Sequence, residues 1–206
     1  MRRNLIPASA LAALGLLLLV IGAAARPLIV ADARTSADIL TSTEIGFVQD
    51  MVAHHQQALL MVASLDPGVH PAVAQLAVQI DRTQRTEIGT MLGWLQLASS
   101  TATNPRPMRW MSTATSHHNA TPGAPEHMPG NVTRAELDAL AAARAGQAES
   151  LFLHLMQRHH QGAVAMARVA DALLEPGPVK YLARDIVATQ SQESGLISVL
   201  LETPPW

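Results

Sequence analysis

Cysteine is absent from this chain of 206 residues, which excludes disulfides, thiolate metal sites and a cysteine-linked lipid. Aromatic residues make up only 3 %, whereas alanine, leucine, methionine and valine dominate, as is typical of packed helices rather than of a β-sandwich. The net charge is −2, so the chain lacks the electrostatic footprint of a protein that binds nucleic acid or anionic lipid. These absences favour an all-α protein that could bind metal only through His, Met and oxygen ligands.

The N-terminal segment predicts export. Two arginines precede the uncharged residues 4–25, which end in an A-x-A-like cleavage signal at Ala23 and Ala25. Residues 8–25 are also about long enough to cross a membrane, so an uncleaved anchor is the alternative to a cleaved signal peptide. We therefore predict that residues 1–30 are a signal peptide or membrane anchor. The rest of the chain is expected in the periplasm, outside the cell, or on the outer face of the cytoplasmic membrane.

Two parts of the chain repeat one another. Residues 47–61 and 152–166 share seven identities at a constant offset of 105, within the pattern Phe-x-x-x-Met-x-x-His-His. Residues 76–87 recur as 182–193, both containing Thr-Gln-x-x-Glu, with one residue gained in between. Duplication of a helix hairpin is a route to a four-helix bundle. The repeat therefore predicts an all-α bundle made of two similar hairpins.

Apolar residues recur at helical spacing in both copies. Phe47, Met51, His54, Ala58 and Met61 are separated by four or three residues, which places them along one seam of a helix. Breaker residues and a capping box bound the elements. The predicted segments are a first helix up to 66–68, a second over about 71–98, a third over 133–175, and a fourth that carries residues 186–200.

The stretch between the two copies has a different composition. It is rich in Ser, Thr, Pro, Asn and Gly and has no periodic apolar face, which predicts a loop or disordered linker. We place the bundle domain at residues 36–206, with halves 36–98 and 133–202 and linker 99–132. The linker is also dense in His and Met, a composition typical of flexible metal-capturing segments: Met108, Met111, His117, His118, His127 and Met128.

Each of the four seams carries polar residues at a matching position among apolar ones. A buried imidazole or carboxylate costs several kcal/mol unless it is paired or bound to metal. Such groups, projecting inward from facing helices, are how bundles build metal sites. Two further histidines lie one residue off the seams, and four methionines flank the same level. The predicted metal ligands are His54, His55, His159, His160, Met51, Met61, Met156, Met166, Glu87 and Glu193.

Thioether ligands favour Cu(I) over hard ions, so copper is the expected metal and another transition metal is the alternative. The same residues also fit a packed core in which Glu87 and Glu193 accept hydrogen bonds from the histidines and Met fills space. Asp50, four residues before His54, could orient that ring, although the second copy has Leu155 at the equivalent position.

The two His-His segments, each followed by Thr-Gln-x-x-Glu, resemble the bacterial family called domain of unknown function 305. The resemblance covers about residues 38–202 and includes the Met-Pro-Gly of 128–130 between the halves. It implies a ferritin-like bundle, export, and a link to copper binding and copper tolerance, with the His-His pairs and neighbouring methionines as ligands. Leu155 and the Gln157–Arg158 pair depart from the family pattern, which bears on whether both copies bind equally.

Three functions compete. The leading one is an extracytoplasmic protein that sequesters or passes on copper, for which no enzyme activity is expected. The second is a ferritin-like di-metal oxidase, although the usual site has four carboxylates with Glu-x-x-His spacing, which this chain lacks at the seam. The third is a helical interaction module on the membrane surface whose histidines only hydrogen-bond. No Ser-His-Asp order, P-loop or dinucleotide motif indicates other catalysis.

Overall fold

The computed structural model describes residues 17–21, 39–113 and 127–202. The chain divides into two units, residues 1–39 and 40–206. Of the first unit, only residue 39 and an exposed helical turn at 17–21 are described, so the predicted cleavage signal lies outside the described residues. Among the helices that are described, none has the length and hydropathy needed to cross a membrane.

The second unit is helical, and no β-strand occurs in the described ranges, which confirms the all-α prediction. Its elements are α1 (Ser42–Ala63), α2 (Pro71–Leu97), a 3₁₀ helix (Arg109–Thr113), α3 (Arg134–Ala142), α4 (Ala145–Leu173) and α5 (Pro178–Glu202). Helix α1 packs on α2, α4 packs on α5, and α1 also packs on α4. The fold thus has two long hairpins that meet through their first helices. The more specific ferritin-like arrangement stays a prediction.

Capping boxes start two of these helices. At the predicted box before α3, the Thr133 hydroxyl accepts from the Glu136 N–H at 3.2 Å, and the Thr133 N–H donates to the Glu136 carboxylate at 2.8 Å. Thr41 and Glu44 make the same exchange before α1. Each box satisfies backbone N–H groups that have no partner within the helix, so both helix starts are fixed locally.

The third helix predicted from the sequence, over residues 133–175, is broken in two. Ala143 and Arg144 are extended, and Ala145 has a φ of +48°. Alanine is the best helix former, so the local sequence carries no signal for this break. A distant contact accompanies it, because the Asp66 carboxylate accepts from the Ala145 N–H at 3.0 Å and lies 3.9 Å from Arg144 Nε. The turn after α1 therefore holds the start of α4.

The buried interior consists of two apolar clusters with polar residues between them. Along each long helix, the buried seam passes from one cluster to the other through polar side chains. The transitions run from Met51 through His54 and His55 to Met61 in α1, from Ile80 through Gln84 to Met91 in α2, from Met156 through His159 and His160 to Met166 in α4, and from Ile186 through Gln190 and Glu193 to Ile197 in α5. We call these polar residues, together with Glu87, the polar layer.

The linker is packed against the helices where it is described. Apart from the 3₁₀ helix, residues 99–113 and 127–132 are irregular, as predicted, yet Met108 is fully buried and Trp110 nearly so. The indole of Trp110 meets the ring of Phe47 edge to face, with centroids 5.3 Å apart. His117 and His118 lie outside the described residues. The described ends of the linker thus belong to the folded core.

Gly162 of α4 is required by the close approach of the linker. A Cβ atom at this position would lie 2.1 Å from the Pro129 carbonyl oxygen, which is far inside van der Waals contact. We expect Gly162→Ala to lower the free energy of unfolding by about 2 kcal/mol or more, since backbone must move to admit the methyl group. Urea unfolding followed by circular dichroism measures the change.

Gly195 of α5 is the matched control. It is exposed, and a Cβ there would meet nothing within 4 Å. Gly195→Ala should therefore stabilise the protein by about 0.5–1 kcal/mol through helix propensity alone. Equal gains in both variants would mean that the linker does not pack on α4.

Candidate metal centre

Two histidines mark the place where α1 and α4 meet. The rings of His54 and His159 are fully buried, and their centroids are 3.9 Å apart. His159 Nε2 lies 2.9 Å from the carbonyl oxygen of His54, and His54 Nε2 lies 3.0 Å from that of Pro129. The second contact brings the end of the linker to the centre of the fold. Equivalent residues of the two copies therefore lie side by side.

The other two histidines each pair with a carboxylate of the same hairpin. His55 Nε2 lies 2.6 Å from Glu87, and His160 Nε2 lies 2.9 Å from Glu193. His160 and Glu193 are almost completely buried, whereas the Glu87 side chain is 11 % exposed. The hydrogen-bonded pairs considered from the sequence are therefore present in both copies.

The hydrogen-bond acceptors fix which nitrogen of each ring is free. Carbonyl and carboxylate oxygens can only accept, so in the neutral ring Nε2 carries the hydrogen and Nδ1 keeps its lone pair. In all four histidines Nδ1 is buried and has no partner within the described part of the chain. The polar layer thus presents four imidazole lone pairs that no described residue uses.

Burial keeps the central pair neutral. The pKa of His54 is lowered to about 3, first by the loss of hydration on burial and then by the neighbouring His55, against a smaller opposite effect from the Pro129 carbonyl. The pKa of His159 is lowered well below its usual value, first by burial and then by His54 and His160. A neutral imidazole is the form that binds metal, so no proton competes for these two nitrogens at neutral pH.

The four predicted methionine ligands are fully buried, in pairs on either side of the polar layer. Met51 and Met166 belong to one apolar cluster, and Met61 and Met156 belong to the other. Each pair draws one methionine from each copy. Linker methionines join only the first cluster: Met108 is buried within it, and Met111 and Met128 pack against it.

The six predicted His and Glu ligands lie in the polar layer and the four predicted methionines lie in the apolar clusters on either side, but the ten residues do not form a preformed coordination sphere. Across residues 17–21, 39–113 and 127–202, no three His, Asp or Glu side chains converge as they would around a metal ion. Two imidazoles are hydrogen-bonded to carboxylates and two to backbone carbonyls, and in each ring the other nitrogen has no partner among the described residues. The donor chemistry suits a soft or borderline cation, because neutral nitrogens and thioethers dominate.

Asp50 does not orient His54, contrary to the idea drawn from its spacing. Its buried carboxylate accepts from the Met108 N–H at 2.7 Å, the Trp110 indole N–H at 2.9 Å and the Asn104 amide at 3.0 Å. The pKa of Asp50 is nevertheless raised, because the loss of hydration outweighs these hydrogen bonds. Asp50 is therefore the anchor of the linker, a role signalled only by an acidic residue within an apolar stretch of α1.

A surface cleft of about 480 Å³ lies away from the polar layer. It is lined by the start of α1 and by linker residues that include Arg106 and Arg109. None of the predicted ligands lines it. The candidate centre is thus a packed layer that would admit an ion rather than an organic substrate.

Residues 44–201 match the family model described as Domain of unknown function (DUF305). A DUF305 protein of Streptomyces coelicolor that is inferred to be secreted is 35 % identical, with a TM-score of 0.69, over 78 % of this chain and 91 % of that chain. A DUF305 fragment from Deinococcus radiodurans is 33 % identical, with a TM-score of 0.62, over 79 % of this chain and 97 % of that one.

A third similar structure contains metal. CopM in the Cu(II)-bound form is 29 % identical, with a TM-score of 0.56, over 77 % of this chain and 95 % of that chain. A search of curated proteins finds no significant match. The similarity therefore covers nearly the whole length of three solved structures, two of them DUF305 proteins and one a copper-bound protein.

Proposed function

This chain belongs to the DUF305 family, and we propose that it is an extracytoplasmic protein that sequesters or passes on copper through its polar layer. The S. coelicolor relative, which is inferred to be secreted, supports this location, as does the predicted N-terminal signal or anchor. Binding and release make up the proposed function, and no catalytic turnover is part of it.

The observation that carries the proposal is the state of the four imidazoles. Histidines that bind metal characteristically donate their other ring N–H to a carboxylate or a backbone carbonyl, which fixes the ring and the tautomer. The polar layer has two histidines held by carbonyls and two held by carboxylates, and all four Nδ1 atoms lack a partner among the described residues. In a core whose histidines were only structural, these buried nitrogens would be expected to find partners.

The neighbouring sulfur atoms favour copper. In this proposal His54, His55, His159 and His160 are the nitrogen ligands, and Glu87 and Glu193 orient two of them. The thioethers of Met51, Met61, Met156 and Met166 flank the layer and suit Cu(I), while no thiolate is present to favour zinc. The copper-bound state of CopM supports the same metal.

The two competing functions have less support. A di-metal oxidase requires carboxylates that bridge two ions, but Glu87 and Glu193 each accept a hydrogen bond from a histidine, and the usual four-carboxylate set is lacking. An interaction module without metal would explain the His–Glu pairs. It would not explain why the four buried Nδ1 atoms lack a hydrogen-bond partner among the described residues.

Copper titration of the full chain tests the proposal. We expect Cu(I) to bind at least about tenfold more tightly than Zn(II), and the His54→Ala/His159→Ala variant to lose about a hundredfold in Cu(I) affinity, or roughly 2.7 kcal/mol. His154→Ala is the matched control, since His154 is exposed on the same helix as His159 and should not alter binding. Competition with a Cu(I)-specific chelator under reducing conditions measures the constants, and circular dichroism checks the fold.

Two results would contradict this assignment. Displacement of Cu(I) by an equal concentration of Zn(II) would show that the methionines only fill space. A loss in a His117→Ala/His118→Ala variant as large as that in the His54/His159 variant would move the principal site to the linker.

A further inference from the structure

Two glutamines of the polar layer have no assigned role. Gln84 of α2 is fully buried and Gln190 of α5 is 1 % exposed, and they occupy equivalent positions in the two copies. Both the amide oxygen and the amide nitrogen of each side chain lack a hydrogen-bond partner within the described ranges. The layer therefore contains four unused amide atoms in addition to the four imidazole nitrogens.

An unpartnered buried amide opposes folding, because its hydrogen bonds to water are lost and not replaced. Elsewhere in this fold, a buried amide is partnered: Gln49 of α1 donates to the Thr101 carbonyl at 2.6 Å. Leucine has a similar size and would fill the positions of Gln84 and Gln190 without that cost. Two equivalent unpartnered amides are explained more simply by a ligand that uses them than by packing.

The position and the chemistry of these amides indicate what kind of ligand would use them. Gln84 precedes Glu87 by three residues, and Gln190 precedes Glu193 by three, so each amide lies about one helical turn from the carboxylate that holds a histidine. An amide oxygen is an uncharged hard donor, which suits a divalent ion better than a monovalent soft one. The thioethers of the methionines on either side of the polar layer prefer a soft monovalent ion such as Cu(I).

We propose that Gln84 and Gln190 supply amide oxygens that allow the polar layer to hold Cu(II) as well as Cu(I). The methionine pairs and the imidazoles suffice for Cu(I), and the amides add the oxygen ligands that the divalent ion favours. This inference rests on the proposed function and specifies the two oxidation states that the same site accepts.

The test compares the full chain with the Gln84→Leu/Gln190→Leu variant in two measurements. Competition with chelators should show Cu(II) affinity at least about tenfold lower in the variant, with Cu(I) affinity changed by less than about threefold. Urea unfolding of the metal-free proteins should show a midpoint for the variant equal to or above that of the wild type, because unpartnered polar atoms have been removed. Gln49→Leu is the matched control, which should lower the midpoint and leave both copper affinities unchanged.

Three outcomes would overturn the inference. A lower midpoint or a failure of the double variant to fold would show that the amides have structural partners. Parallel loss of Cu(I) and Cu(II) affinity would show that they only position the histidines, and unchanged affinities would show no role in binding. A folded wild-type protein that binds neither ion would instead reject the proposed function, a result distinct from all three.

Discussion

Metal-free protein should lose about 3–5 kcal/mol of unfolding free energy between pH 7 and pH 4.5, because the central histidines must stay neutral in the fold. An unfolded histidine titrates near 6.5, whereas burial lowers the pKa of His54 to about 3 and that of His159 well below its usual range. Between these values the unfolded chain binds more protons than the folded one, so acid favours unfolding. The stabilising contribution is complete above pH 6.5 and is lost as the pH falls.

As an upper limit, about 1.4 kcal/mol for each pH unit and each histidine gives roughly 5–6 kcal/mol for two histidines over the two units between pH 6.5 and 4.5. The raised pKa of Asp50 acts in the opposite direction, since its protonated form is favoured by the fold. Urea unfolding at a series of pH values measures the slope. A flat profile would mean that the buried rings carry charge or contact water in the folded state.

Added Cu(I) should stabilise the folded protein, and the size of this effect should depend on pH. A ligand that binds only the folded state adds RT ln(1 + [L]/Kd), or about 4 kcal/mol at a thousandfold excess over Kd. Cu(I) should therefore raise the melting temperature at pH 7.5. The gain should be smaller at pH 5, because protons compete for imidazole nitrogens but not for thioethers. An equal gain at both values would identify methionine as the dominant ligand, and no gain at either would reject a site in the core.

Asp50→Leu should destabilise the protein by about 3–5 kcal/mol. This is expected even though the second copy has leucine, Leu155, at the equivalent position. The substitution removes the acceptor for the N–H groups of Met108 and Trp110, both of which come from the packed part of the linker. The loss of these buried hydrogen bonds to a carboxylate accounts for most of the destabilisation. Urea unfolding followed by circular dichroism gives the free energy.

Asp50→Asn is the companion variant. It keeps one acceptor oxygen at nearly the same place, so about half of the loss should be recovered. Cu(I) affinity should stay within about threefold of the wild type in both folded variants, since Asp50 makes no hydrogen bond to the polar layer within the described residues. Lost copper affinity without lost stability would show that Asp50 acts on His54 after all.

Several parts of the molecule follow from local rules that a sequence displays directly. The long helices were predictable because their buried residues recur every three or four positions, and the capping box of Thr133 and Glu136 follows from two residue types at fixed spacing. The common level of the polar residues follows from the duplication, because equivalent residues occupy equivalent heights in two similar hairpins. Compartment and metal preference remain predictions from the same source.

Tertiary contacts determine the features that the sequence does not predict, namely the helix break, the packing of the linker and the hydrogen-bond partners of the buried polar groups. The break before Ala145 involves Asp66 from a distant turn, and the packing of the linker depends on Asp50, so neither could be predicted from local preferences. The free Nδ1 atoms and unpartnered glutamine amides were likewise invisible in the sequence, because a residue type states which hydrogen bonds are possible and not which are made. The sequence alone determined the helical class, the duplication and the set of candidate ligands, but not the break between α3 and α4. Only the tertiary packing decided which nitrogen of each histidine lacks a partner among the described residues, because that choice depends on oxygen atoms contributed by α1, α2, α5 and the linker.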